Sequence, residues 1–553
     1  MPKSNNYRIM RLISSKIRRL DPSEDIQYLL IYSFLYKYCS DTLRDYLMSL
    51  IQTREMTLDE AFLDKQTRME FREKSLETFG YFIHDSIYFM DDVVNGVFYM
   101  HKFFEAFAGN VEFQPGSNYE NYFSFIFESV HKSVNFNKFE FEGEKHLIMK
   151  DIIHGISSLD VFEEEFPYSR VFDRVCQTKP ILVDHDPDYI SYIISSIVSS
   201  NAESPQTVFN PFLNDASMLV NLYSNGDFSW DRTYAKSHDQ ITYCCSIVKL
   251  LMNHFDLDRV YSELDTPFEP ISDSAVSFDV IMSRIPPITS RNLRRLNFSQ
   301  NHNLVRQTRK NEIQDLLSKN FDMNPEMFED NDELKSALDN LISKMDLDTR
   351  PGFTGQYASL ERSEYLFLIN MINSLKDDGI MVVSMSQSFL VKNSLETLRK
   401  YLTCEKNCID AIISIPDELT RHSRVEVIVV FKKHKRTDDI IFIDMSNDFK
   451  TKKAPYATQG AFRRNLILDE ATLKRVNDVY KNRQTVERFS NVVKVSEIKD
   501  DDFNLSIARY VDTFEGEFID LDDLKNQKQE ITQNIERLNK KIEKMMDDLN
   551  IRL

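Results

Sequence analysis

Glycine is scarce in this chain, 12 of 553 residues. Loops that press backbone against phosphate or ribose usually need glycine for the close approach, so a glycine-rich nucleotide cradle is poorly provided for. No Gly-x-x-x-x-Gly-Lys stretch occurs, which removes that class of triphosphate loop and any translocase activity built on it. Cysteine is limited to Cys39, Cys176, Cys244, Cys245, Cys404 and Cys408, with no CxxC pair. Cys404 and Cys408 lie one helical turn apart without a second Cys/His pair nearby. The expectation is reduced, mostly buried thiols of a cytoplasmic protein and no metal. No run approaches the roughly 20 apolar residues of a membrane span, and the basic N-terminus lacks the apolar centre of a signal peptide, so no membrane contact is expected. A basic excess is missing too: 87 acidic against 68 basic residues give a net charge of −19. A lone nucleic-acid binder usually carries the opposite balance. Any DNA contact would be weak, confined to a patch, or shared with a partner, and an acidic protein with no nucleic-acid role fits the charge equally.

What is present is apolar material: 42% hydrophobic residues, including 40 Phe. That exceeds the need of one small core and predicts two or three globular units. Residues 1–160 read as helical. Ile26–Tyr38 is a strongly apolar helix opened by Asp21-Pro22-Ser23, and further helical patterns follow at Phe62–Phe79, Phe98–Phe107 and Tyr122–Val134. From about residue 165 short apolar runs alternate with amphipathic helices. Strands are expected at Thr207–Phe209, Phe278–Met282, Ile380–Val383, Ile409–Ile415, Val425–Phe431 and Ile440–Ile443. Helices are expected at Ile241–Phe255, Glu361–Leu375 and Ser394–Leu402. This alternation predicts an α/β fold with a mainly parallel sheet, interrupted by a polar, helix-rich insert at about 288–350. In the tail, Leu524, Ile531, Ile535, Leu538, Ile542, Met545 and Leu549 recur at three- and four-residue steps, broken by Lys528. That is a coiled-coil seam, and a single helix cannot bury its own stripe.

Four stretches together resemble the modification subunits of type I restriction–modification systems, N6-adenine DNA methyltransferases. They are Phe34-Leu35-Tyr36-Lys37-Tyr38-Cys39-Ser40-Asp41, the run Tyr357–Ile380 with its Leu375-Lys376-Asp377-Asp378-Gly379 turn, Ile409–Pro416 followed by Val425–Lys433, and Phe503–Val511. None is specific alone; their order, spacing and the tail carry the likeness. The resemblance implies a doubly wound, Rossmann-like methyltransferase domain at 161–500 between an N-terminal helical domain at 1–160 and a C-terminal coiled-coil helix at 501–553. It also implies S-adenosylmethionine as cofactor and a DNA-specificity subunit as partner of the tail. A second copy of the chain is the other occupant that the stripe allows.

Measured against that family, the chemistry is depleted. The cofactor motif, Asp-Pro-x-x-Gly-Ser-Gly after a strand, is matched by Asn210-Pro211-Phe212-Leu213-Asn214-Asp215-Ala216. Pro211 is kept, the leading Asp is Asn210, and Asn214 and Ala216 replace the glycines; a strand–turn–helix with no cofactor is the other reading. The ribose carboxylate of the next strand falls on His238, or on Asp239 one residue later, and Asp239 could equally cap a helix. The Thr-Pro that closes over the cofactor is matched by Asp186-Pro187, with a carboxylate for the hydroxyl; a solvated helix cap is its plainer role. The catalytic Asn-Pro-Pro-Phe corresponds to Arg284-Ile285-Pro286-Pro287-Ile288. The amide that should accept from adenine is Arg284 if Phe278-Asp279-Val280 anchors the match, or Ile285 if Pro286-Pro287 does, and the stacking ring is Ile288. Arginine is a donor only. Beyond it, Arg291, Arg294, Arg295, His302, Arg306, Arg309 and Lys310 form a basic cluster that would suit DNA phosphate or a solvated face paired with Glu329–Glu333. The sequence thus predicts a divergent or catalytically impaired methyltransferase subunit, with a non-enzymatic scaffold that keeps only the fold as the alternative.

Overall fold

The computed structural model describes residues 4–20, 23–96, 99–136, 143–178, 186–202, 204–224, 229–237, 239–264, 276–285, 368, 371–415, 425–446, 450–453, 464–467, 470–512 and 521–548. Its N-terminal part is organised around the helix Glu24–Ile51, which is buried on every side from Tyr28 to Cys39. A helix apolar all round can only be a core element. Helices Asn118–Ser133, Glu144–Ser157 and Gln240–Met252 pack against it. Aromatic rings fill the gaps: Tyr36 stacks on Phe107 at 4.6 Å, and the Tyr32 hydroxyl donates to the Phe104 carbonyl at 2.6 Å. Strands β1 (Tyr81–Ile83) and β2 (Val111–Phe113) form a small antiparallel pair beside these helices.

The main sheet has nine strands: β3 (Thr207–Asn210), β4 (Arg232–Ser237), β5 (Val260–Leu264), β6 (Phe278–Arg284), β7 (Leu375–Ser386), β8 (Ile409–Ser414), β9 (Glu426–Lys432), β10 (Asp439–Ile443) and β13 (Ser490–Lys494). A separate antiparallel pair is made by β11 (Lys450–Lys453) and β12 (Arg464–Ile467). The strand order is β13-β10-β8-β9-β7-β6-β3-β4-β5. Only β9 and β13 run against their neighbours. From β3 the chain winds outward through β4 and β5, then returns to the other side of β3 at β6, so a topological switch point lies between β3 and β6. Ligands of such sheets bind at the carboxyl ends of the strands at this point. The doubly wound α/β architecture is therefore as expected. Val208, Val280, Met282, Val382, Ile428 and Val430 face the side of the sheet that shares one buried cluster with the N-terminal helices, while Phe209, Ile281, Met381, Val383, Val429 and Phe431 pack into a second cluster on the other face. This strict alternation is the period-2 pattern of a sheet covered on both sides.

Two expectations change. Leu375 does not end a helix but opens β7, pairing with Phe278 across a bulge. The Lys376-Asp377-Asp378-Gly379 stretch, which by sequence is a turn, belongs to that strand. Gly379 is required there, because a Cβ would sit 2.9 Å from the Phe278 carbonyl oxygen. The helix expected at Ser394–Leu402 is instead broken into three short pieces, Asn393–Leu395, Glu396–Lys400 and Tyr401–Glu405. The insert at about 288–350 lies outside the described residues. The tail is a helix, Leu521–Asp548, on which Ile531, Ile535 and Leu538 are more than half exposed.

Candidate active site

Asn210 is the last residue of β3 and is fully buried at the switch point. Neither its Oδ1 nor its Nδ2 has a hydrogen-bond partner. The following turn is tied to the neighbouring strand by the Leu213 N–H, which donates to the Lys236 carbonyl at 2.8 Å. Asn214 (φ 45°) and Ala216 (φ 60°), which stand where the resemblance places glycines, both adopt the left-handed backbone that glycine would take. The path of a glycine loop is thus kept while its side chains are filled in. Asn tolerates this conformation better than Ala does. Ala216 caps the helix Ser217–Tyr223.

Below the turn, Asp215 accepts from Ser217 Oγ at 2.8 Å and from Lys249 Nζ at 3.3 Å, and Lys249 also meets Asp173 at 2.8 Å. The two carboxylates outweigh burial and hold the Lys249 ammonium firmly charged. Above it, Asp186 precedes the helix Asp188–Asn201, with Pro187 at its cap. Asp186 is buried rather than solvated: its Oδ1 accepts from Asn214 Nδ2 at 2.7 Å and its Oδ2 has no partner. Burial, reinforced by Asp215, pushes the Asp186 carboxyl up to about 7, against the pull of Arg284 and Asn214.

At the end of β6 the Arg284 guanidinium makes two bonds to Glu426, from Nε at 3.0 Å and from Nη2 at 2.7 Å. Ser384 Oγ adds a third bond to the same carboxylate at 2.7 Å. Ile285 is buried, its N–H donating to the Ser384 carbonyl at 3.0 Å. On either anchoring, then, no amide stands at the position of the base acceptor. Asp239 Oδ2 accepts from Thr242 N at 2.9 Å and Thr242 Oγ1 at 2.7 Å, so Asp239 caps the helix Gln240–Met252. At the end of β4 a buried Lys236 lies 3.3 Å from Glu263 of β5. His238, Pro286, Pro287 and Ile288 lie outside the described residues, as do Arg291, Arg294, Arg295, His302, Arg306, Arg309 and Lys310. No cluster of three metal-ligating side chains occurs among the described residues.

The structure therefore brings Asp186, Asn210, Asn214 and Arg284 to one edge, and adds Asp215, Lys249, Ser384 and Glu426, which sequence reasoning missed. Glu426 left one trace, a charge opening an apolar strand, because buried acids need partners. The unpaired buried atoms at this edge (Asn210 Oδ1 and Nδ2, Asn214 Oδ1, Asp186 Oδ2) are a mixed set of donors and acceptors. Each costs about 1–3 kcal/mol left unmet. They fit a polar ligand with amino-acid-like groups, as the methionine moiety of S-adenosylmethionine has.

A doubly wound sheet with one reversed inner strand and a polar edge at its switch point defines a methyltransferase-like α/β protein. The crystal structure of a type I restriction–modification methyltransferase subunit from Streptococcus thermophilus has the same fold, with a TM-score of 0.63 at 16% identity over 92% of this chain and 99% of that one. Residues 339–517 match the N-6 DNA methylase family. The chain is 25% identical over 216 residues to the type I restriction enzyme MpnII methylase subunit of Mycoplasma pneumoniae, covering 38% of this chain and 37% of that protein. It is 35% identical over 111 residues, 19% of this chain and 18% of the other, to the MjaVII methylase subunit of Methanocaldococcus jannaschii. The matched stretches thus span 37% and 18% of these curated relatives. Over these stretches the chain is similar to type I restriction–modification methylase subunits. Among the described residues no helix is long and apolar enough to cross a membrane.

Proposed function

We propose that the chain is a modification-subunit-like component of a type I system that keeps the cofactor edge of an N6-adenine methyltransferase and is impaired in the transfer step. The carrying observation is the Arg284–Glu426 pair. At the strand end where the resemblance calls for an amide acceptor, a guanidinium is held by two bonds to a buried carboxylate. A guanidinium can only donate, and this one is committed elsewhere. S-adenosylmethionine, when bound, supplies an electrophilic methyl group. Asn210 and Asn214 would bind its polar end and Asp186 would close over it, while the ring that should stack on a flipped adenine is replaced by Ile288. The acidic balance, net −19, fits a division in which a DNA-specificity subunit supplies base contacts and docks on the Leu521–Asp548 helix, with the 291–310 cluster reserved for phosphate. The unit boundaries at 160 and 500 are part of this reading.

Calorimetric titration of S-adenosylmethionine into the full chain, alone and co-expressed with a specificity subunit, tests it alongside methyl transfer to adenine-containing duplex. The expected result is stoichiometric binding with transfer at least a hundredfold slower than a family member bearing Asn-Pro-Pro-Phe. Binding with full transfer would remove the impairment, and no binding in either preparation would leave the scaffold reading.

A further inference from the structure

The sheet's carboxyl edge carries an excess of acid in the place where its ligand must sit. Asp186 is buried with one carboxylate oxygen unpaired. The charged groups facing it among the described residues come from three elements: Asp215 from the turn after β3, Arg284 from β6 and Glu426 from β9. Of these the one cation, Arg284, is engaged by Glu426. Lys249, on the helix Gln240–Met252, stands behind Asp215 and is shared with Asp173 and Ser217. Asn214, bonded to Asp186 through its Nδ2, leaves its Oδ1 as a further orphan acceptor, and the end of β3 adds another, Asn210 Oδ1. An acceptor-rich buried edge of this kind selects a cation, and a buried carboxylate without a cation takes a proton instead.

Resting on the cofactor reading above, we infer that Asp186 receives the ammonium of the amino-acid end of S-adenosylmethionine, so that ligand and proton compete for one carboxylate and binding is gated by pH. The hydroxyl that the resemblance expects at this position could not do this, because it carries no charge to gate. Asp186 thus acts as a binding residue that makes the site acid-sensitive. Burial and Asp215 hold its titration near neutrality, about 7, which places the gate inside the working range of a cell.

The test is calorimetric titration of S-adenosylmethionine into the full chain at pH 5.5, 6.5 and 7.5, where most of the ligand's own amine keeps its proton. Methylthioadenosine, which lacks the amino-acid end and the sulfonium charge, is the comparator. S-adenosylmethionine affinity should tighten about tenfold across the window, and methylthioadenosine affinity should stay constant. Repeating the pH 5.5 titration in buffers of different ionisation enthalpy should show close to one proton released per ligand bound. Asp186→Asn should flatten the profile and weaken binding at pH 7.5 to the wild-type level at pH 5.5. A flat wild-type profile with binding intact, or a slope shared by methylthioadenosine, overturns this inference and leaves the cofactor reading standing. No binding at any pH overturns both. The wild-type profile and proton count decide the matter even if the Asn variant fails to fold.

Discussion

Arg284 and Glu426, 142 positions apart in sequence, meet through two hydrogen bonds in the middle of the sheet's carboxyl edge, both nearly closed to solvent. A buried pair of this kind is far more sensitive to losing one partner than both. Glu426→Gln should lower the unfolding free energy by about 3 kcal/mol, whereas the double replacement Arg284→Met with Glu426→Leu should be near neutral. Urea midpoints of the two variants and the wild type measure this. Arg284→Asn alone should not rescue methyl transfer, because Glu426 would be left charged and unpaired beside the new amide; a gain of activity in that variant would contradict an impairment rooted in this ion pair.

Asn210 offers the opposite case. Its amide is fully buried without partners, so in the free protein it is a cost. Asn210→Leu should raise stability by about 1 kcal/mol while reducing S-adenosylmethionine affinity at least tenfold. Thermal melting with and without ligand reads both effects, and a destabilised variant would show that Asn210 has a structural partner.

Ala216 sits at φ 60° with its methyl buried. In Ala216→Gly, relief of left-handed strain at about 1 kcal/mol is offset by loss of one buried methyl at about 0.8 kcal/mol, so the urea midpoint should hardly move. Ala216→Val cannot relax the same way, and should lose about 3 kcal/mol through strain and overpacking together.

A pH signature is expected at Asp41 in the helical part. Burial pushes its carboxyl up to about 6, and Lys37 at 2.9 Å only partly opposes this. A carboxyl raised on folding contributes stability below its unfolded value near 3.8, and that contribution is lost as pH climbs through about 6. The loss is on the order of 3 kcal/mol at most. Unfolding curves at pH 4 and pH 6.5 should therefore diverge more for the wild type than for Asp41→Asn; equal divergence would discount Asp41.

The sheet is legible in the sequence wherever strands are continuous apolar runs buried on both faces, as in Ile409–Ser414, Glu426–Lys432 and Asp439–Ile443. Strands such as Arg232–Ser237, with a buried Lys236, or Ser490–Lys494 at the sheet's end carry too many polar residues to announce themselves. The broken segment Asn393–Glu405 has helical spacing throughout, and nothing local marks its interruptions. At the site, the β3 turn is readable because Pro211 and a preceding strand mark it. Glu426 is not readable in its role, since its partner is fixed by strand order rather than by spacing. For Asp186 the sequence suggests a solvated cap where the structure has a buried carboxyl: whether an acid before a helix caps it in water or is buried against a turn depends on what packs over it.

The reversed direction of β9 ties sheet register to site electrostatics. Because β9 runs antiparallel, its first residue rather than its last reaches the carboxyl edge, where Ser386 lies opposite Glu426. A one-residue insertion or deletion within the strand would turn each side chain before it to the other face, removing Glu426 from Arg284 while leaving every apolar residue after it in place. Placed directly after Glu426, such a frame error would be nearly silent in the core and severe at the edge. Drift at the first residue of β9 is therefore held in check by a charge pair rather than by packing.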